Sequence, residues 1–180
     1  MNAMTKSNLM SAYGGESMAH MRYIAFAKMA EDENFKNVSR LFQAVSFAEQ
    51  VHATNHFRAL KNEFGDAGVN AGAAFGYINT SKNLELAIEG EDFEIKQMYP
   101  AYLAVAEMQA EKDAIRSMKW AWEVEKQHFS LYTDAKKAVD SGKDMTLGDL
   151  YVCECCGATQ DSAPDKCPIC GAKKELFKKF

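Results

Sequence analysis

Four long stretches of the chain repeat apolar residues every three to four positions, the period of a helix with one buried face. From about Thr5 to Asp32 the stripe is Leu9, Ala12, Tyr13, Ala19, Tyr23, Ile24 and Ala27. From about Asn37 to Phe64 it is Leu41, Val45, Ala48, Ala53, Phe57 and Leu60. Two more helices are predicted over roughly Ser81 to Ala110 and Glu111 to Asp140. The first link is very short, so the first two helices are expected to be antiparallel neighbours. The second link, Gly65 to Thr80, is punctuated by Gly65, Gly68, Gly72 and Gly76. A helix of ~28 residues is about 42 Å long. A link of this length, fully extended, reaches roughly 55 Å. One crossover along the bundle is therefore affordable, which is the ferritin-like connection.

The polar run Asp140-Ser141-Gly142-Lys143-Asp144 ends the fourth helix, with Gly142 as its C-terminal cap. The pattern predicts an all-α ferritin-like four-helix bundle over residues 1–145 and a small metal-bound domain over 146–180. That tail is too short to fold on apolar burial alone and needs a staple.

Several acids interrupt the apolar stripes. Glu16 lies in the stripe Leu9–Tyr13–Tyr23, and Glu49 lies between Val45 and Ala53 with His52 one turn later. Glu91 follows Leu84, Ala87 and Ile88, with Glu94 three residues on. Glu125 follows Met118, Ala121 and Trp122, with His128 one turn later. Residues three apart share a helix face, so each Glu-x-x-His aims an oxygen and a nitrogen into one space. A single such pair is usually a solvent-facing coincidence. Here Glu16 precedes Glu49 by 33 residues and Glu91 precedes Glu125 by 34, each second glutamate leading a histidine. Two copies of one Glu plus one Glu-x-x-His are the ligand set of di-iron carboxylate bundles. Buried carboxylates without compensation cost several kcal/mol each, against a total stability of ~5–15 kcal/mol. Cations must offset them.

Glu94 breaks the symmetry of the two halves, since its counterpart is Ala19. Five carboxylates against two ferrous ions, or against an oxide-bridged diferric pair, leave one negative charge, so one ligand set suits both redox states. His52 and Glu94 are alternative ligands for one iron. His20, four residues after Glu16, and His56, four after His52, have two readings: a place behind the ligands or, the plainer one, a surface or core role. Tyr23, Tyr99 and Tyr102 lie one to three turns from the acids, for packing or for hydrogen bonds to a carboxylate or to bound peroxide.

All five cysteines fall between Cys153 and Cys170. Such clustering points to metal ligation in a reducing cytoplasm rather than to disulfides. Two Cys-x-x-Cys-Gly knuckles, Cys153/Cys156 and Cys167/Cys170, predict a tetrahedral four-thiolate site that suits zinc or iron equally. Cys155 is the odd thiol and faces away by register. A structural zinc ribbon is the plainer reading of this tail. Beside a di-iron bundle, a one-iron electron donor explains it better.

The composition, 47% hydrophobic and 26% charged with net charge −4, is that of a soluble globular protein. It carries no basic footprint for nucleic acid or membrane. No uninterrupted apolar segment follows the N-terminus, so neither a signal peptide nor a transmembrane span is expected.

Over essentially its whole length the chain resembles rubrerythrin. The resemblance rests on Gly15-Glu16-Ser17 with Tyr23, Glu49-x-x-His52, Gly90-Glu91-x-x-Glu94 leading into Met98-Tyr99-Pro100, Glu125-x-x-His128, and a rubredoxin-like C-terminus with Cys167-Pro168-Ile169-Cys170-Gly171. It implies that Glu49 and Glu125 bridge two irons. Glu16 and Glu94 would hold one iron when oxidised, while Glu91 and His128 hold the other. On reduction the first iron would leave Glu94 for His52. Cys153, Cys156, Cys167 and Cys170 would bind a third, rubredoxin-type iron.

The implied activity is reduction of hydrogen peroxide to water, with electrons from NAD(P)H through a separate reductase or rubredoxin. Glu94, His52 and Tyr23 are the expected catalytic residues. The absence of a nucleotide-binding fingerprint agrees with an external donor. The resemblance also implies homodimers in which one subunit's rubredoxin-like domain faces the other's di-iron site. The ten-residue gap between the cysteine pairs is slightly short for the family. The competing expectation is an iron-oxidising, ferritin-like iron-handling protein with a structural zinc tail.

Overall fold

The computed structural model describes residues 1–180. Helices α1 (Ala3–Asp32) and α2 (Lys36–Ala59) form one antiparallel pair. A second pair joins α3 (Thr80–Phe93), a π-helical turn (Glu94–Met98) and α4 (Tyr99–Met108) to α5 (Lys112–Asp140). The chain reverses after α1 through Asn34 in the left-handed region (φ 67°) and after α4 through Ala110 (φ 56°).

The crossover is present. Residue 60 lies at the end of the bundle where α1 begins, as the Lys6–Glu63 ion pair shows (2.6 Å). Residue 80 lies at the other end, where the Thr80 amide donates to Glu33 (2.9 Å). Asn79 caps α3 by accepting from the Lys82 amide (2.9 Å). The segment lies close on α1: a Cβ on Gly14 would stand 2.7 Å from Val69. No helix is long and apolar enough to cross a membrane.

Three local expectations are corrected. α2 ends at Ala59, not near Phe64, because nothing lies beyond it to bury its face; Phe64 is fully exposed. Ile24 and Phe57 are exposed rather than in the core. The α1 stripe advances Tyr23–Phe26–Ala27–Ala30 and leaves Ile24 beside it, while Phe57 stacks on Tyr13 outside the bundle (ring centroids 5.5 Å). The third helix is not continuous. Its π turn adds a residue after Glu91, and the Trp122 indole N–H donates to the Ile95 carbonyl there (2.9 Å). π turns of this kind recur at functional sites.

α5 stops where expected, with Gly142 at φ 75° and the Lys143 amide donating to the Ala138 carbonyl (3.1 Å). Beyond it a three-stranded antiparallel sheet has the order β2 (Thr159–Gln160), β1 (Tyr151–Cys153), β3 (Phe177–Lys179). Met145, Leu150 and Val152 join the aromatic core of Tyr23, Phe26, Phe42 and Tyr132. Cys153, Cys156, Ala158 and Cys167 pack on Val124 of α5.

Candidate metal centres

The predicted acids meet inside the bundle. Glu16 of α1, Glu49 and His52 of α2, and Glu125 of α5 form one group. Glu49, Glu91 of α3, and Glu125 and His128 of α5 form a second. In each group the ligand atoms all lie within 4.8 Å of one another. Every one of these side chains is at most 1% exposed. Glu49 and Glu125 belong to both groups, so their carboxylates span two adjacent positions.

The ligand atoms crowd together and only some of them pair. His52 Nδ1 lies 2.8 Å from Glu49 and 2.9 Å from Glu125. His128 Nδ1 lies 2.8 Å from Glu125 and 3.2 Å from Glu49. Yet Glu49 Oε1, Glu91 Oε2, Glu16 Oε2, both Glu125 oxygens and His128 Nδ1 have no hydrogen-bond partner. Buried polar atoms are almost always paired. Lone pairs that converge without pairing are what a cation's ligands look like, and two cations fit this set.

The bare side chains are electrostatically frustrated. Burial first, then the neighbouring carboxylates, pushes Glu16, Glu91 and Glu94 well above the usual carboxyl range. Burial pushes Glu49 up as well, but His52 and His128 outweigh it and hold that carboxyl well below the usual range. Burial lowers His52 and His128, and this is overcome by Glu125 and Glu49. The chain thus sets protons where cations would otherwise sit.

Outer contacts fix the ligands. Tyr23 donates to Glu91 (2.9 Å), and Tyr99 donates to Glu16. His56 is fully buried, with Nε2 2.9 Å from the Tyr99 hydroxyl and Nδ1 2.8 Å from the Ser117 hydroxyl. Burial, then His52, lowers its pKa to about 3, so the ring is neutral. Ser117 therefore donates to His56, which donates to Tyr99, which donates to Glu16. The fourth-residue spacing after His52 signalled His56 but not its partners. His20 turns away, Nδ1 2.8 Å from the Ser46 carbonyl. Tyr102 donates to Ser11 (3.0 Å).

Glu94 stands apart from both four-residue groups. It is half-buried on the π turn and lines a cavity of about 290 Å³ beside the acids. The structure therefore brings His52, not Glu94, into the Glu16 group.

The four thiols predicted as ligands converge in the tail, Cys155 excluded. Cys153 and Cys170 sulfurs are 3.7 Å apart, and those of Cys156 and Cys167 3.6 Å. Disulfide sulfurs are ~2.0 Å apart, whereas a tetrahedron with metal–sulfur bonds of ~2.3 Å has edges near 3.8 Å. Gly157 (φ 86°) and Gly171 (φ 77°) turn the knuckles, their amides donating to Cys153 and Cys167 carbonyls (2.8 and 2.9 Å). Cys155 lines a crevice with Asn55 and Trp120.

This tail meets the bundle of its own chain at the two histidines. His52 Nε2 donates to the Cys156 carbonyl (3.1 Å), and His128 Nε2 donates to the Thr159 hydroxyl (3.1 Å). A metal-ligating imidazole is oriented by such a partner on its other nitrogen. The knuckle spacing marked Gly157, but not its closeness to His52, and no spacing marked Thr159.

Residues 7–136 match the family model described as Rubrerythrin, and residues 151–178 match that described as Rubrerythrin, rubredoxin-like domain. The chain is 49% identical to Rubrerythrin-2 of Clostridium acetobutylicum, covering 99% of this chain and 98% of that one. It is 30% identical to Nigerythrin of Nitratidesulfovibrio vulgaris, covering 96% and 85%. It superposes on the structure titled Fully reduced state of nigerythrin (all ferrous) with a TM-score of 0.86 at 28% identity, covering 100% of this chain and 88% of that one.

Proposed function

The chain belongs to the rubrerythrin family, and on that premise we propose that it reduces hydrogen peroxide to water. It is an iron-dependent oxidoreductase with a di-iron site and a rubredoxin-like iron in a four-cysteine site. Glu49 and Glu125 would be shared between the two irons; Glu16 and His52 would complete the ligands of one, and Glu91 and His128 those of the other. Cys153, Cys156, Cys167 and Cys170 hold the third iron. We assign residues 1–145 to the peroxide-reducing bundle and 146–180 to the electron-delivering domain.

When bound, the iron pair supplies two electrons and Lewis acidity. The protein supplies the rest. Tyr23 and Tyr99 hold Glu91 and Glu16 in place by donating to them. Helix packing around the ligands excludes water. Glu94, lining the cavity, is placed to pass a proton to the leaving oxygen. His52 and Glu94 would serve as alternative ligands for one iron, His52 from within the Glu16 group and Glu94 from the cavity side.

One observation carries this reading. The His52 imidazole joins the two centres, Nδ1 toward Glu49 and Glu125 and Nε2 on the Cys156 carbonyl. A storage protein has no need of that contact; an enzyme that must be re-reduced after each turnover does. Electrons enter from an external donor, rubredoxin or an NAD(P)H-dependent reductase. The unpaired cysteines suit a reducing cytoplasm, and the exposed Met21, Ile24 and Phe57 suit a homodimer or larger homo-oligomer.

Anaerobic stopped-flow of the fully reduced protein tests the function. Reoxidation by hydrogen peroxide is expected to be much faster than by dioxygen. Slow reoxidation without that preference would overturn it in favour of iron oxidation.

A further inference from the structure

The cavity beside Glu94 is far larger than hydrogen peroxide requires. It holds about 290 Å³ between α1, the crossover segment and α3. A water molecule occupies about 30 Å³, so a molecule with two oxygens fills roughly a fifth of it. Sites for compact organic ligands begin near 300 Å³.

Its walls are built from residues that keep it open. Gly15 and Gly90 line it, each directly before a metal-facing glutamate, Glu16 and Glu91. Neither has any atom within 4 Å of where a Cβ would stand, so a side chain on either would enter open space. Glycine inside a helix costs ~1 kcal/mol relative to alanine. No close helix contact explains these two, unlike Gly14 against Val69. Ala71, Ala73 and Ala74 form the opposite wall. Leu86, Phe93 and Met98 supply an apolar lining, while Arg22, Glu89 and Glu94 are its charged groups.

We propose that this cavity is a binding site for small organic hydroperoxides, reduced at the same centre as hydrogen peroxide; the inference rests on the function proposed above. The alkyl group occupies the space left by Gly15, Gly90 and the alanines, and the O–O group lies at Glu94. The step is ROOH plus two electrons and two protons to ROH and water. The O–O bond breaks, the distal oxygen leaves as water, and the alkyl-bearing oxygen leaves as alcohol. The electrons come from the external donor through the four-thiolate iron.

The test compares tert-butyl hydroperoxide with hydrogen peroxide on the reduced holoprotein, for the natural chain, Gly90→Leu and Ala74→Leu. Ala74 lies outside the helices, so its variant tests the cavity without altering a helix. Both peroxides are expected to be reduced by the natural chain. Either variant should lower kcat/KM for tert-butyl hydroperoxide at least tenfold relative to that for hydrogen peroxide. A second readout needs no turnover: the paramagnetic irons should broaden the methyl proton line of tert-butanol, and Gly90→Leu should abolish the broadening. Reduction of hydrogen peroxide alone overturns the inference and leaves the proposed function standing. So does a proportionate change for both substrates, or equal broadening in natural chain and variant. Failure with both peroxides overturns the proposed function itself.

Discussion

His52 leaves no room for a side chain on Gly157: a Cβ there would stand 2.5 Å from the ring's Nε2 and 3.3 Å from the Ala48 carbonyl oxygen. Gly157 also has φ 86°, a region that costs other residues of order 1–3 kcal/mol. One residue thus turns the cysteine knuckle and lets it touch a candidate ligand. Gly157→Ala is expected to lower stability by about 2 kcal/mol and to slow re-reduction of the di-iron centre at least tenfold. The measurement is thermal melting together with rapid mixing of the oxidised protein with a reduced donor. Wild-type transfer in a stably folded variant would break the link between this contact and electron delivery.

The two shared carboxylates should govern iron content. Glu49→Gln and Glu125→Gln each remove a charge counted in both ligand groups. Either should strip the bundle of its iron pair while the tail keeps its own. Metal analysis should fall from about three irons per chain to about one, with the red four-thiolate colour retained. Full iron loading in Glu49→Gln would refute the bridging role.

In the tail, Cys156→Ser should abolish the red colour and Cys155→Ser should preserve it. Cys156 is one of the four converging thiols, whereas Cys155 lies outside that group. Visible absorption of the purified variants separates the two cases. A colourless Cys155→Ser protein, folded by circular dichroism, would contradict the assignment.

Iron removal should invert how stability depends on pH. In the bare chain Glu16, Glu91, Glu94, His52 and His128 are all raised above their ordinary values. The folded form then binds protons that the unfolded form has released, so stability falls as pH rises through the raised values. His56, lowered to about 3, and Glu49, also lowered, have the opposite sign at lower pH. Above ~6.5 the unfolded histidine is neutral as well, so neither acts there. Cys153, lowered to about 5 by its hydrogen bond with Cys156, opposes the loss in that range, one group against five. Between about pH 6.5 and 9 the metal-free protein should lose stability steadily. The iron-loaded protein should not, and loading should release protons. Urea titrations across that range, and indicator dye during iron addition to weakly buffered protein, give the two readings. Rising metal-free stability would contradict the burial argument.

The bundle and the acids and histidines that converge in it were legible because both obey helical spacing. Apolar stripes at three and four gave the helices, and the same period placed Glu49 beside His52 and Glu125 beside His128. Knuckle spacing likewise gave the four thiols. The rest depends on what helices meet. No local pattern distinguishes Ile24 from Tyr23; only the neighbouring α2 decides which is covered. The π turn at Glu94–Met98 directly precedes Pro100, which cannot donate back into that turn, and lies against Trp122. His56 looked like a core histidine and is one. Its relevance comes from Tyr99 and Ser117, which lie 43 and 61 residues away. The contact of the cysteine domain with Asn55, His52 and His128 of the bundle joins residues about 30 to 100 positions apart and carries no sequence signature.

Met145, Leu150 and Val152 follow the last helix in sequence yet lie among Tyr23, Phe26 and Phe42. Burying three such side chains is worth roughly 5–8 kcal/mol, comparable with the whole margin of many domains. Recombinant truncation at the end of α5 would therefore not liberate an autonomous scaffold. It would leave a greasy trench along the bundle, and the excised peptide would lose the wall it leans on. Bundle and tail are expected to unfold together as a single cooperative body.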